Sequence, residues 1–113
     1  MLWALSMQAQ KKIIIEGSVR NVDDGIVMRL YRWDGRVGSV VASDTIENGK
    51  FSFNLQSVSK IEKLSLSGIS SKFPSIGRDL YVTPGCSIAI QGNGYKIVGW
   101  EVKSQVKEQQ EYD

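Results

Sequence analysis

The sequence predicts an all-β fold, an antiparallel β-sandwich of two sheets. From Lys12 onward the chain is made of short runs that alternate apolar and polar residues with period two, the spacing of strands with one buried face. The runs are separated by Gly, Pro, Asn and Asp clusters ("NVDDG", "DGRVG", "ENGK", "TPGC", "GNG"), which are turn chemistry. Seven or so such strands in a chain of 113 residues fit a sandwich with a single core.

The first residues differ from the rest. "MLWALSMQAQ" is apolar up to Met7 and then turns polar, is too short to span a bilayer, and lacks a basic opening region. Residues 1–10 therefore read as the tail of a secretory signal whose beginning lies upstream, with cleavage after Ser6, where Ala4 and Ser6 are the small residues required, or after Ala9. The plainer alternative is an apolar first strand or helix. No Cys follows the site, so a lipoprotein anchor is not indicated. The sandwich domain is expected over 11–103 and the start of a helical linker over 104–113.

"KKIIIEGSV" is the first strand, with Gly17 marking a bulge or a close approach of another backbone. In "NVDDG" the acids Asp23 and Asp24 are turn residues first, because neighbours on a loop do not converge as catalytic carboxylates do. "IVMRLYRW" alternates Ile26, Met28, Leu30 and Arg32 with Val27, Arg29, Tyr31 and Trp33, and "DGRVG" turns the chain back. Next, "DTIENGKFSFNL" reads as a hairpin around a type I′ Asn48-Gly49 turn. Its register puts Glu47 opposite Lys50, Ile46 opposite Phe51, Asp44 opposite Phe53 and Ala42 opposite Leu55. Asp44 is the exception on that apolar face and needs either a hydrogen-bonding partner at the rim or a bulge that turns it outward.

"KIEKLSLSGI" and "LYV" supply two more strands around the loop "SSKFPSIGRD". Pro84 and Gly85 occupy the centre of a type II turn, from which Cys86, Ile88 and Ile90 point to one face. "GNG" then turns the chain into "YKIVGW", read as a last strand. "SQVKEQQEYD" has good helix formers after a plausible Ser104 N-cap, in a segment too short to be stable alone.

Composition removes several function classes. There is no His and one Cys, so a zinc site, a CxxC pair, an internal disulfide and any His-based nucleophile are not expected. Fourteen Lys and Arg against twelve Asp and Glu give +2, scattered singly, which does not suggest nucleic-acid binding. No catalytic, cofactor-binding or metal-ligating residue is assigned, no cofactor is expected, and no membrane span is read.

Taken together, "IIIEGSV", "ASDTIENGKFSF", "LYVTPGCSIAIQG" and "WEVKSQVKEQQEY" occur in an order that gives the chain a family likeness. Over residues 12–113 it resembles the N-terminal domain of unknown function that precedes a thioredoxin-like domain, of the alkyl hydroperoxide reductase and thiol-specific antioxidant type, in exported bacterial thiol:disulfide interchange proteins. The "NGKF" element is also similar to transthyretin-like and carboxypeptidase-regulatory sandwiches. The resemblance implies a periplasmic or otherwise exported accessory domain, acting by contact with an adjoining thioredoxin-like domain or a client protein. The catalytic CxxC of such proteins lies in the domain that follows, so no activity carries over, and Cys86 stands where the family turn usually has Asp.

In that setting Trp100, Ser104 and Gln109 are candidate contacts with a following domain; the bland reading has Trp100 closing one end of the sandwich and Ser104 capping a helix. A different class of function, a free-standing carbohydrate or surface-polymer binding module, would use Trp33, Trp100, Tyr31, Tyr81 and Tyr95 as a stacking platform. Several of these rings, coplanar and exposed on one sheet face, would favour it.

Overall fold

A computed structural model describes residues 12–56, 58, 60–104 and 106–112. The expected signal segment, residues 1–10, lies outside them. Eight strands form two four-stranded sheets packed face to face: β1 Ile13–Arg20, β2 Val27–Asp34, β3 Val37–Thr45, β4 Lys50–Leu55, β5 Glu62–Ile69, β6 Arg78–Val82, β7 Ser87–Asn93 and β8 Glu101–Lys103. A 3-10 turn, Ile97–Gly99, precedes β8, and a short helix, α1 Lys107–Tyr112, ends the chain. One sheet has the order β4-β1-β7-β8 and the other β3-β2-β5-β6. The protein is an all-β sandwich. Its strand pairs are antiparallel except β1 with β7, which run parallel.

The period-two pattern becomes burial directly. In β1, Ile13 and Ile15 are buried while Ile14 and Glu16 face out; in β4, Phe51, Phe53 and Leu55 are buried between exposed Lys50, Ser52 and Asn54. These side chains, with Ile88 and Ile90 of β7, meet Met28, Leu30, Leu64, Leu66, Leu80 and Val82 of the other sheet in one core. Burying each such side chain contributes about 1.5–3 kcal/mol, which drives the two sheets together. Gly17 stands opposite Phe51 in an unbroken register, and a Cβ there would come within 2.1 Å of the Phe51 ring. The close approach expected at Gly17 is thus to an aromatic ring and not to backbone, and there is no bulge.

The expected "DTIENGKFSFNL" hairpin is corrected. Asn48 and Gly49 do have φ of 52° and 73°, as a type I′ turn requires, and Glu47 pairs with Lys50. Pairing stops there, because β3 belongs to one sheet and β4 to the other. Ile46 is fully buried at the crossing and bonds to the two residues just before β2, its N–H to the Ile26 carbonyl at 2.9 Å and its carbonyl from the Gly25 N–H at 2.8 Å. Beyond that point the chain climbs across the core, where the layers stand about 10 Å apart instead of the 4.8 Å of paired strands. Asp44 therefore pairs with Met28 and not Phe53, Ala42 with Leu30 and not Leu55, and Phe51 and Phe53 with Gly17 and Ile15.

Asp44 has the partner its position calls for: its Oδ2 accepts the Ser52 N–H at 2.7 Å. Both β3 and β4 are edge strands, so this one carboxylate ties the two open edges of the sandwich on that side. The β2–β3 register also shifts between Leu30 and Tyr31, a bulge that precedes the exposed outer half of the pair. "YKIVGW" is corrected as well. It forms the 3-10 turn with Ile97 fully buried, and only Glu101–Lys103 returns to the sheet beside β7.

Candidate functional site

Trp100 closes one end of the sandwich. Its indole is 2% exposed, lies edge-on to Phe73 at 5.7 Å and 6.3 Å from Phe51, and donates from Nε1 to the Gly94 carbonyl at 3.1 Å. The ring covers Gly92, where a Cβ would lie 2.5 Å from it. Its carbonyl accepts from Nε of the buried Arg78 at 3.1 Å. Tyr95 packs edge-on against Phe73 at 4.9 Å in the same cluster.

The turns at this end are cross-linked by acids. Asp24 accepts the N–H groups of Asn48 at 2.9 Å and Gly49 at 3.1 Å, one on each carboxylate oxygen, so "NVDDG" clamps the Asn-Gly turn. The Asp23 N–H donates to the Tyr95 hydroxyl at 2.9 Å, and its carboxylate accepts from Lys72 Nζ. The Lys72 hydrogen bond, then that of Tyr95 and the Lys72 charge, hold the Asp23 carboxyl below its usual range; the same contact raises Lys72. Asp23 and Asp24 are therefore turn-locking residues that point to different partners.

Ser104 and Gln109 attach the C-terminal segment to the sandwich. Gln109 is 1% exposed, its Oε1 accepting the Tyr81 N–H at 2.7 Å and its Nε2 donating to the Asp79 carbonyl at 3.3 Å. A side-chain amide thus takes the place of a neighbouring peptide along β6, the edge of its sheet. The Ser104 hydroxyl accepts the Val106 N–H at 3.0 Å, and the Ser104 carbonyl accepts from Gln110 Nε2 at 2.9 Å. Ser104 makes a Ser/Thr turn three residues ahead of the helix start and is not its N-cap. Of the three candidate contacts, Trp100 and Gln109 thus turn inward, and the half-buried Ser104 sits where the segment leaves β8.

The aromatic platform divides. Trp100 belongs to the core, and Tyr95 to its rim. Tyr31 and Trp33 share the outer face of the β3-β2-β5-β6 sheet, with ring centroids 6.3 Å apart and planes 29° apart, and Trp33 is 59% exposed. Sequence alone could not separate these two tryptophans. Each ring lies over a glycine, Gly38 for Trp33 and Gly92 for Trp100, and only the arrangement of the strands shows which ring the core covers.

Cys86 is half-buried against the core at the end of the Thr83–Cys86 turn, where its N–H donates to Thr83 at 3.2 Å and Gly85 has φ of 70°. No group of three or more metal-ligating side chains gathers among the described residues, and none of their helices is long and apolar enough to cross a membrane. Comparison with protein families, with curated proteins and with solved structures finds no match for this chain.

Proposed function

We propose that this chain is a non-catalytic accessory β-sandwich domain of an exported thiol:disulfide-interchange-type protein, working by contact with an adjoining thioredoxin-like domain or a client protein in the periplasm. The observation that carries the reading is the seating of the C-terminal segment. Gln109 bonds to both Tyr81 and Asp79, and Val106 is 5% exposed, so the segment leaves the sandwich along a fixed line on the edge of β6. A domain joined through such a segment is held in one orientation, whereas a Gly/Ser linker would let it wander. The family likeness carried by "LYVTPGCSIAIQG" and "WEVKSQVKEQQEY" supplies the identity of the neighbour.

Two measurements test it together. Protein recovered from the periplasmic fraction of its host should begin after Ser6 or Ala9 and carry or co-isolate a thioredoxin-like sequence. The purified chain should reduce insulin no faster than the dithiothreitol background, since a dithiol cycle needs a second Cys to resolve the mixed disulfide. Cytoplasmic material with Met1 intact, or insulin turnover above background, contradicts the proposal.

A further inference from the structure

We propose that the outer face of the β3-β2-β5-β6 sheet binds an acidic polysaccharide, with Trp33 and Tyr31 stacking beneath its sugar rings. The inference is independent of the accessory-domain reading.

The register builds the face in rows. Val40, Tyr31, Ser65 and Asp79 lie side by side across the four strands, and Ser43, Arg29 and Ser67 form the next row. All alternate with buried Leu30, Leu66 and Leu80, so they point away from the core. In the row on the other side Trp33 stands opposite Gly38, and a Cβ on Gly38 would lie 2.9 Å from the indole. The indole lies on the backbone of the edge strand because no side chain intervenes. More than half of its surface, at 59% exposure, is left to solvent, and Tyr31 extends the shelf at a 29° angle. The core is complete without these two rings, so folding does not account for an exposed tryptophan laid flat beside a tyrosine.

The surroundings select the ligand. A pyranose ring has an apolar C–H face that packs on an aromatic ring and a rim of hydroxyls that need donors and acceptors. Ser65, Ser67 and the Asp79 carboxylate supply these beside the shelf, in the mixture of aromatic and polar groups that orients small ligands. The charges decide between neutral and acidic chains. Arg32 is paired with Glu62 at 2.8 Å, while Arg29 and Lys63, which the register turns outward, make no ion pair among the described residues, and Asp79 is the one carboxylate that the register sets on the same face of the described strands. The excess of cations around an aromatic shelf matches a chain of uronic acids, whose carboxylates sit at intervals along a stacked backbone.

Affinity electrophoresis of the full chain tests this, with polygalacturonate, a neutral hydroxyethyl cellulose and a single-stranded oligonucleotide as the three probes. Polygalacturonate should retard the protein, and added salt should weaken the retardation. Trp33→Ala should weaken binding at least about tenfold, as loss of a hot-spot aromatic does, with an unchanged melting temperature. Gly38→Val, which lifts the indole off the strand, should act in the same direction, and Arg29→Gln with Lys63→Gln should remove most of the salt dependence. The proposal is overturned by no retardation in polygalacturonate, by equal retardation of Trp33→Ala, or by binding to the neutral glucan or the oligonucleotide as strong as to polygalacturonate.

Discussion

At the scale of single residues, carboxylates do the closing of this sandwich. Asp44 serves the backbone N–H of Ser52 across the gap between sheets, a bond available only because the chain changes layer at Ile46. Replacing it by Ala leaves that edge N–H without its acceptor, and chemical denaturation of Asp44→Ala should show a loss of about 1–3 kcal/mol. A loss within error of zero would mean that water serves Ser52 equally well. Asp23 works through charge. Its pKa is lowered on folding, so its contribution is present above the unfolded carboxylate value and is lost as pH falls from about 4 through the lowered one. Lys72 is raised, so its share is full at lower pH and is lost as pH climbs through the raised value. Both side chains are more than half exposed to solvent, so the effect is small and screened by salt. Melting temperatures followed from pH 2 to 6 at low salt should fall less steeply for Asp23→Asn than for the native chain, and 1 M salt should erase the difference.

At the scale of elements, what could be read in the sequence is what is local. The alternation of "IIIEGSVR" and "KFSFNL" gave the buried faces of β1 and β4, because one inward side chain in two is a property of a strand by itself. The Asn48-Gly49 turn was legible for the same reason. Which sheet each arm joins was not, since two-residue turn chemistry is satisfied whether the strands continue to pair or part into separate layers. The C-terminal helix hid its anchor differently: Gln109 is polar, and no pattern of apolar residues marks a buried amide that imitates a strand. Gln109→Ala should therefore release α1 Lys107–Tyr112 while the sandwich stays folded. Hydrogen exchange should show protection lost over 107–112 and at the Tyr81 amide, with the β1 amides unchanged. Retained protection over the helix would show that Val106 packing alone holds it.

At the scale of the whole molecule, the sandwich offers two unlike ends of function. The outer face of the β3-β2-β5-β6 sheet presents the Trp33–Tyr31 shelf, and the edge of β6 carries the docked C-terminal segment. The one-core, all-β architecture was legible because most strands keep the period of two, the bulged β3 being an exception; the shelf was not, because Trp33 and Trp100 look alike until the strands around each are placed. If the chain works as proposed, it makes contact at the seated C-terminal segment. A photo-crosslinking amino acid placed at the exposed Gln110, with a control at exposed Asn54 on the other sheet, tests it in the native host. A cross-link is expected from position 110 to a thioredoxin-like domain, in the same polypeptide or a bound one, and none from position 54. No cross-link from position 110, or the same products from both positions, would contradict it.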